Sequence, residues 1–117
     1  MNVEEIREYC IAKPATEECF PFDDVTLVFK VAGKMFALLN LEHPHSVNLK
    51  CDPERAIELR ETYPFIVPGF HMNKTHWNTV HLDDEAPSAL IREMIDASFA
   101  LVCKSLTRKA RIENGLE

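Results

Sequence analysis

Residues 25–51 constrain the fold of this chain more than any other stretch. Val25, Leu27, Phe29 and Val31 alternate with Thr26, Val28 and Lys30, the period of two that marks a half-buried strand. Ala32-Gly33 interrupts the run as a turn, residues 34–40 resume it as a second strand, and Ser46-Val47-Asn48-Leu49-Lys50-Cys51 alternates as a third. In that third strand Val47, Leu49 and Cys51 face inward, leaving Ser46, Asn48 and Lys50 outward. One face of such a sheet needs cover and the other can meet water.

The flanking segments supply the cover. Residues 3–13 place Val3, Ile6, Tyr9 and Cys10 at helical spacing behind an Asn2 N-cap, with Glu4 and Glu5 in the first turn and Pro14 as the stop. Residues 15–24 read as an irregular connection in which Phe20 and Phe22 plug the core. Asp52 and Pro53 open a short helix running to about Thr62. Phe65-Ile66-Val67 leads to a strand over 75–82. A long helix begins at Ala86-Pro87 and ends near Leu106, with a stripe of Leu90, Met94, Ala97 and Leu101 widened by Ile91, Ile95, Phe99 and Val102. The expected architecture is α+β: a two-layer sandwich with an antiparallel sheet and the N- and C-terminal helices packed on one face. At 117 residues and 46% hydrophobic content, one domain over residues 1–117 is expected.

Charge and cysteine usage narrow the function classes. The net charge is -6, with seven acids against two bases in residues 1–24 and a purely basic cluster of Lys104, Arg108, Lys109 and Arg111 near the end. An acidic chain is a poor non-specific nucleic-acid binder, and the basic cluster reads as charge completing a helix C-terminus. No apolar run approaches a membrane span and the acidic N-terminus is unlike a signal peptide, so a cytoplasmic location is expected, and separately a monomer. Cys10, Cys19, Cys51 and Cys103 lack metal-ligand spacing and read as reduced thiols, three of them in apolar surroundings.

Residues 68–80 hold the densest functional chemistry: Pro-Gly-Phe-His-Met-Asn-Lys-Thr-His-Trp-Asn-Thr-Val, with the chain's single tryptophan. If Val80 and Leu82 face inward, Trp77, Thr79 and His81 face outward, while His76 and Asn78 share the inward face unless a bulge resets the register. The opposite register, with Trp77 in the core, stays open because tryptophan is mostly buried. Lys34, His71, Asn73, Lys74, His76, Trp77 and Asn78 are the candidate contact residues. Lysine serves a phosphate, the indole stacks, and the asparagines hydrogen-bond.

Pro68-Gly69-Phe70-His71-Met72-Asn73-Lys74 with His76-Trp77-Asn78-Thr79-Val80 resembles the signature of the MmcQ/YjbR family of small bacterial proteins. Pro21-Phe22-Asp23, Lys34-Met35-Phe36-Ala37, Ile95-Asp96-Ala97-Ser98-Phe99 and Leu101-Val102 support the resemblance in order along nearly the whole chain. Phe70 and Phe99 stand where the family often has tyrosine. The resemblance implies a frataxin-like (CyaY-like) fold and a DNA-binding role through β-hairpin wings, here the turn at Gly33-Lys34 and the segment around Lys74 and Trp77. It implies no enzymatic activity.

Other sites are weaker. There is no catalytic constellation and no Gly-rich phosphate loop, so no enzyme and no cofactor are expected. His43 and His45 are two apart, and His71, His76 and His81 are five apart without cysteine partners, so no histidine metal site is expected. Asp83-Asp84-Glu85 reads as charge at the start of the last helix. Glu4, Glu5, Glu8, Glu17, Glu18, Asp23 and Asp24 form a solvated acidic region that offers oxygen ligands to a cation. Three functions follow: a duplex-DNA module, a protein or small-ligand module using the open sheet face around Thr26, Lys30, Asn48, Lys50 and Trp77, and cation binding at the acidic N-terminal region.

Overall fold

A computed structural model describes residues 1–117. Six strands form one wholly antiparallel sheet, β1 (Thr16–Cys19), β2 (Thr26–Val31), β3 (Lys34–Asn40), β4 (Ser46–Lys50), β5 (Ile66–Pro68) and β6 (Trp77–His81). Their spatial order is β1-β2-β3-β4-β6-β5. Four helices accompany them: α1 (Val3–Ile11), α2 (Pro53–Thr62), α3 (Ser88–Ser105) and α4 (Arg108–Glu113). No helix is long and apolar enough to cross a membrane. The expected α+β sandwich is present.

Local chemistry explains most boundaries. Asn2 and Glu5 form a reciprocal capping box at the start of α1. Ala32 and Gly33 both take positive φ (48° and 83°), the two-residue turn that matches the twist of a hairpin. Between them β2 and β3 carry a bulge: Phe29 pairs with Ala37 and Lys30 with Met35, leaving Phe36 as the extra residue. Phe36 and Ala37 therefore both enter the helix-side core. Ser98 sits over this irregularity. Its hydroxyl donates to the Phe36 carbonyl at 2.5 Å and accepts the Lys50 N–H at 2.8 Å, so α3 satisfies backbone groups of two strands.

The helices cover one face only. Ile6 and Cys10 of α1, Ala56 and Leu59 of α2, and Leu90, Ile91, Met94, Ile95 and Val102 of α3 join Leu27, Phe29, Val31, Leu39, Val47, Leu49, Ile66 and Val80 in one core. Tyr9 and Lys13 fasten α1 to α3 through Asp96, at 2.7 and 2.6 Å. The far face carries a smaller apolar group of Val28, Leu38 and Trp77, flanked by Cys19, Met35 and Met72.

Five expectations are corrected. Residues 16–19 are an edge strand, not irregular: Glu18 is drawn onto α1 by a bidentate pair with Arg7, and the acidic side chains protect the edge. Phe20 and Phe22 do not plug the core; they are half-exposed or more. The buried stripe of α3 runs through Ile91, Met94, Ile95, Ser98 and Val102, while Ala97 is exposed, because a serine sits where it can bond the bulged sheet. The chain also forms a further helix, α4, capped by Thr107. There Arg108 and Arg111 pair with Glu117, and Arg111 also donates to the Leu106 carbonyl, so this part of the basic cluster ties down the C-terminal segment. Finally, Asp83 does not serve α3, whose first residues lack a side-chain cap; it bonds the β3–β4 loop.

Candidate functional site

On the open face the strand registers align side chains in rows. Thr26, Asn40, Ser46 and His81 lie abreast, then Cys19, Val28, Leu38, Asn48, Thr79 and Val67, then Lys30, Met35, Lys50 and Trp77 toward the opposite end. A trough of about 490 Å³ occupies the first two rows across β2, β3 and β4. Leu38, Thr26, Asn40, Ser46 and Asn48 contribute to its lining. Phe22, Asp23 and Val25 come from the β1–β2 loop, Glu42 from the β3–β4 loop, and Phe70, His71 and Met72 from the β5–β6 loop. Phe22 and Phe70 are 63% and 65% exposed, large aromatic side chains displayed to solvent.

Both loop walls are fastened. Asp23 accepts the N–H groups of Val25 and Thr26 at 3.0 and 2.7 Å and the Thr26 hydroxyl at 3.1 Å. Those bonds, led by the Val25 amide, hold its carboxyl below the ordinary aspartate value, so the loop beside Phe22 is anchored by a carboxylate. On the other wall Thr79 and Asn48 seize the backbone of Phe70. The Phe70 N–H donates to the Thr79 hydroxyl at 2.9 Å, that hydroxyl donates to Asn48 Oδ1 at 2.5 Å, and Asn48 Nδ2 donates to the Phe70 carbonyl at 3.0 Å. His71 next to it takes φ 59°, a left-handed conformation uncommon for a side chain with a Cβ, and its ring lies 4.1 Å from that of Phe70.

Of the seven candidate contact residues, only His71 lines the trough. The register that faces Trp77 outward is the observed one, yet Trp77 is only 9% exposed because the β5–β6 loop folds over it. Gly69 permits this. A Cβ there would stand 2.7 Å from Trp77 Cβ and 2.9 Å from its carbonyl oxygen. Asn73 accepts the N–H groups of Thr75 and His76, and Lys74 Nζ donates to the Gly69 carbonyl at 2.9 Å, so both shape the loop. Asn78 faces the helix side without a bulge, fully buried, donating to the Ala56 carbonyl of α2 at 3.2 Å. His76 keeps an exposed ring just before β6, and Lys34 is exposed beside the β2–β3 turn on another strand. These seven do not form one surface. Thr26 and Asn48 of the expected open sheet face do line the trough, whereas Phe22, Glu42 and Phe70 reach it from three separate loops and share no local motif. The local signals were the outward alternation of Thr26, Ser46 and Asn48 and an aromatic pair, Phe20 and Phe22, flanking a proline.

Elsewhere, the acidic N-terminal side chains disperse: Glu5 caps α1, Glu18 pairs with Arg7 and Asp23 holds its loop. All four cysteines are free, with Cys10 and Cys51 buried and Cys19 and Cys103 partly so. Burial pushes the Cys10 thiol up to about 12. Against the sequence expectation, two histidines do meet a carboxylate: one ring nitrogen each of His43 and His45 and an oxygen of Asp83 lie within 4.8 Å of one another.

Comparison with known proteins agrees with this architecture. The family model described as YjbR matches residues 11–101. Escherichia coli YbdF is 37% identical over 107 residues, spanning 91% of this chain and 88% of the relative. Escherichia coli YjbR is 35% identical over 112 residues, 95% of each chain. A crystal structure of a Deinococcus radiodurans protein superposes with a TM-score of 0.92 at 44% identity, covering 99% of this chain and 89% of the other. A Pseudomonas syringae crystal structure does so with a TM-score of 0.77 at 30% identity, covering 86% and 98%.

Proposed function

This chain belongs to the YjbR family, and we propose that it is a binding module whose open-face trough takes a small amphipathic molecule, neutral or cationic. The observation that carries the reading is the trough itself. Its volume of about 490 Å³ falls within the roughly 300–1,000 Å³ of small-molecule sites, which combine apolar walls with a few fixed polar groups.

The lining specifies the ligand's chemistry. Phe22, Val25, Leu38, Phe70 and Met72 provide apolar walls, and the two exposed rings stand on opposite loops. Asp23 and Glu42 are the charged residues of the lining, and neither lysine nor arginine belongs to it. Asp23, Thr26 and Asn48 spend their polar atoms on the loops, whereas the Glu42 carboxylate and the Ser46 hydroxyl make no hydrogen bond within the chain. Those two groups are open to a ligand's donors. An ammonium or amide group suits them; a phosphate or carboxylate would meet two negative charges.

Less supports the duplex-DNA reading. The Lys74 ammonium is turned onto the Gly69 carbonyl, Trp77 is covered and Asn73 and Asn78 are engaged internally, so the proposed second wing offers few free groups to phosphates or bases.

Paired probes test the proposal. 2-Phenylethylamine and 3-phenylpropionate share an aryl body and carry opposite charge. Calorimetric titration should show the amine binding in preference to the acid, with affinity falling about 10-fold or more in Phe70→Ala and several-fold in Glu42→Gln. Equal binding of both probes, preference for the acid, or tight salt-sensitive binding of a short DNA duplex would overturn it.

A further inference from the structure

We propose that His43, His45 and Asp83 form a binding site for a divalent transition-metal ion of the zinc type, separate from the trough and independent of its ligand. The side chains come from distant parts of the sequence. His43 and His45 stand in the β3–β4 loop, and Asp83 in the short helical turn Leu82–Asp84 that follows β6. The Leu82 N–H donates to the His45 carbonyl at 3.0 Å, and the His45 N–H donates to Asp83 Oδ2 at 2.8 Å, so the backbones that carry the cluster are themselves tied together.

Orientation of the rings points to a cation rather than to three polar residues sharing water. His45 Nε2 lies 3.1 Å from the Leu41 carbonyl oxygen, which only accepts, so Nε2 carries the proton of the neutral ring. The Nδ1 lone pair of His45 then faces Asp83 Oδ1 at 3.4 Å, and two acceptors face each other. His43 Nδ1 lies 3.3 Å from the other carboxylate oxygen, Oδ2, with the two imidazoles only 3.8 Å apart. One divalent ion relieves all three contacts together.

Dimensions and surroundings fit the ion. With metal–ligand bonds of about 2.0–2.1 Å, neighbouring ligand atoms of a tetrahedral zinc stand about 3.3–3.4 Å apart. The two nitrogen–oxygen separations, one to each carboxylate oxygen, are near that spacing, and one ligand atom from each residue lies within 4.8 Å of the others; rotation of the Asp83 carboxylate and of the His43 ring, which is 79% exposed, brings them onto one ion. The Leu41 carbonyl plays the part of the outer group that fixes a ligating histidine's tautomer. The His45 backbone N–H fixes the Asp83 carboxylate between the two rings, where it serves as the anionic ligand. Two imidazoles and one carboxylate favour zinc, cobalt or nickel over magnesium or calcium. Three protein ligands leave a fourth position on the solvent side for water or an exogenous ligand.

Calorimetry on the untagged, chelator-treated chain tests the site with zinc, cobalt and magnesium chlorides. Zinc and cobalt should each bind at one ion per chain and raise the melting temperature, since an ion bound only by the folded chain stabilises it; magnesium should give no heat. His43→Ala and Asp83→Asn should each lower zinc affinity by more than about 10-fold, while His76→Ala leaves it unchanged. His43 is exposed enough for its variant to fold. Absence of zinc and cobalt binding, or affinity that survives both cluster variants, overturns the proposal.

Discussion

The two faces of the sheet bury their side chains by different means. On the helix side, residues from α1, α2 and α3 close over inward-pointing strand positions, and the buried polar groups there, Ser98 and Asn78, bond backbone carbonyls of other elements. On the open side no helix arrives. Val28, Leu38 and Trp77 are instead sheltered by neighbouring side chains and by the β5–β6 loop, and beyond that shelter the face sinks into a trough. The first arrangement stores stability; the second leaves apolar surface with polar groups beside it, which is the composition of a binding site. The string at 68–80 straddles the two roles. Residues 73–78 fold the loop and cover the sheet, while Phe70, His71 and Met72 present the wall.

Substitutions should separate the faces by the kind of damage they do. Phe36→Ala, in the fully buried bulge, should cost about 3–5 kcal/mol in chemical denaturation. A loss below about 1 kcal/mol would mean the helix-side core is not what holds the fold. Gly69→Ala forces the loop off Trp77 and should cost about 1–3 kcal/mol. Its tryptophan emission should shift to the red as the indole meets water; an unshifted spectrum would show that the loop does not cover Trp77. Thr79→Val keeps the side chain's shape but removes the hydroxyl that joins Phe70 to Asn48, at about 1–2 kcal/mol. Broadened amide resonances at Phe70 and His71 should accompany it. Phe70→Ala should lie within about 0.5 kcal/mol of the parent while impairing the trough; marked destabilisation would make Phe70 a core residue after all. In unsubstituted protein, Cys10 should resist alkylation at neutral pH until the chain unfolds, because it is buried and its thiol ionises only at about 12.

The sequence carried the helix-side face well because alternation and helical spacing report burial directly. Val47, Leu49 and Val80 are where the period of two puts them, and Gly33 marks the β2–β3 turn, although Ala32 there takes a left-handed φ that its Cβ disfavours. Its failures have a common cause. Glu17 and Glu18 have little strand propensity, so β1 exists only through pairing with β2 and the Arg7 contact, both long-range. Ser98 breaks an apolar stripe because the bulge 62 residues earlier needs a hydrogen-bond partner. The register placed Trp77 on the open face, but alternation cannot tell an open face from one covered by a loop. The trough draws on separate stretches between Phe22 and Met72, and the cluster joins the His43–His45 loop to Asp83 38 to 40 residues on, so no local motif announces them.

Amide chemical-shift mapping with 2-phenylethylamine locates the ligand on the sheet. Shifts should gather at Thr26, Leu38, Ser46, Asn48, Phe70, His71 and Met72, saturate with ligand and be lost in Phe70→Ala. Absence of saturable shifts at these residues, or shifts gathered instead around Lys30, Lys34 and Lys50, would contradict binding in the trough.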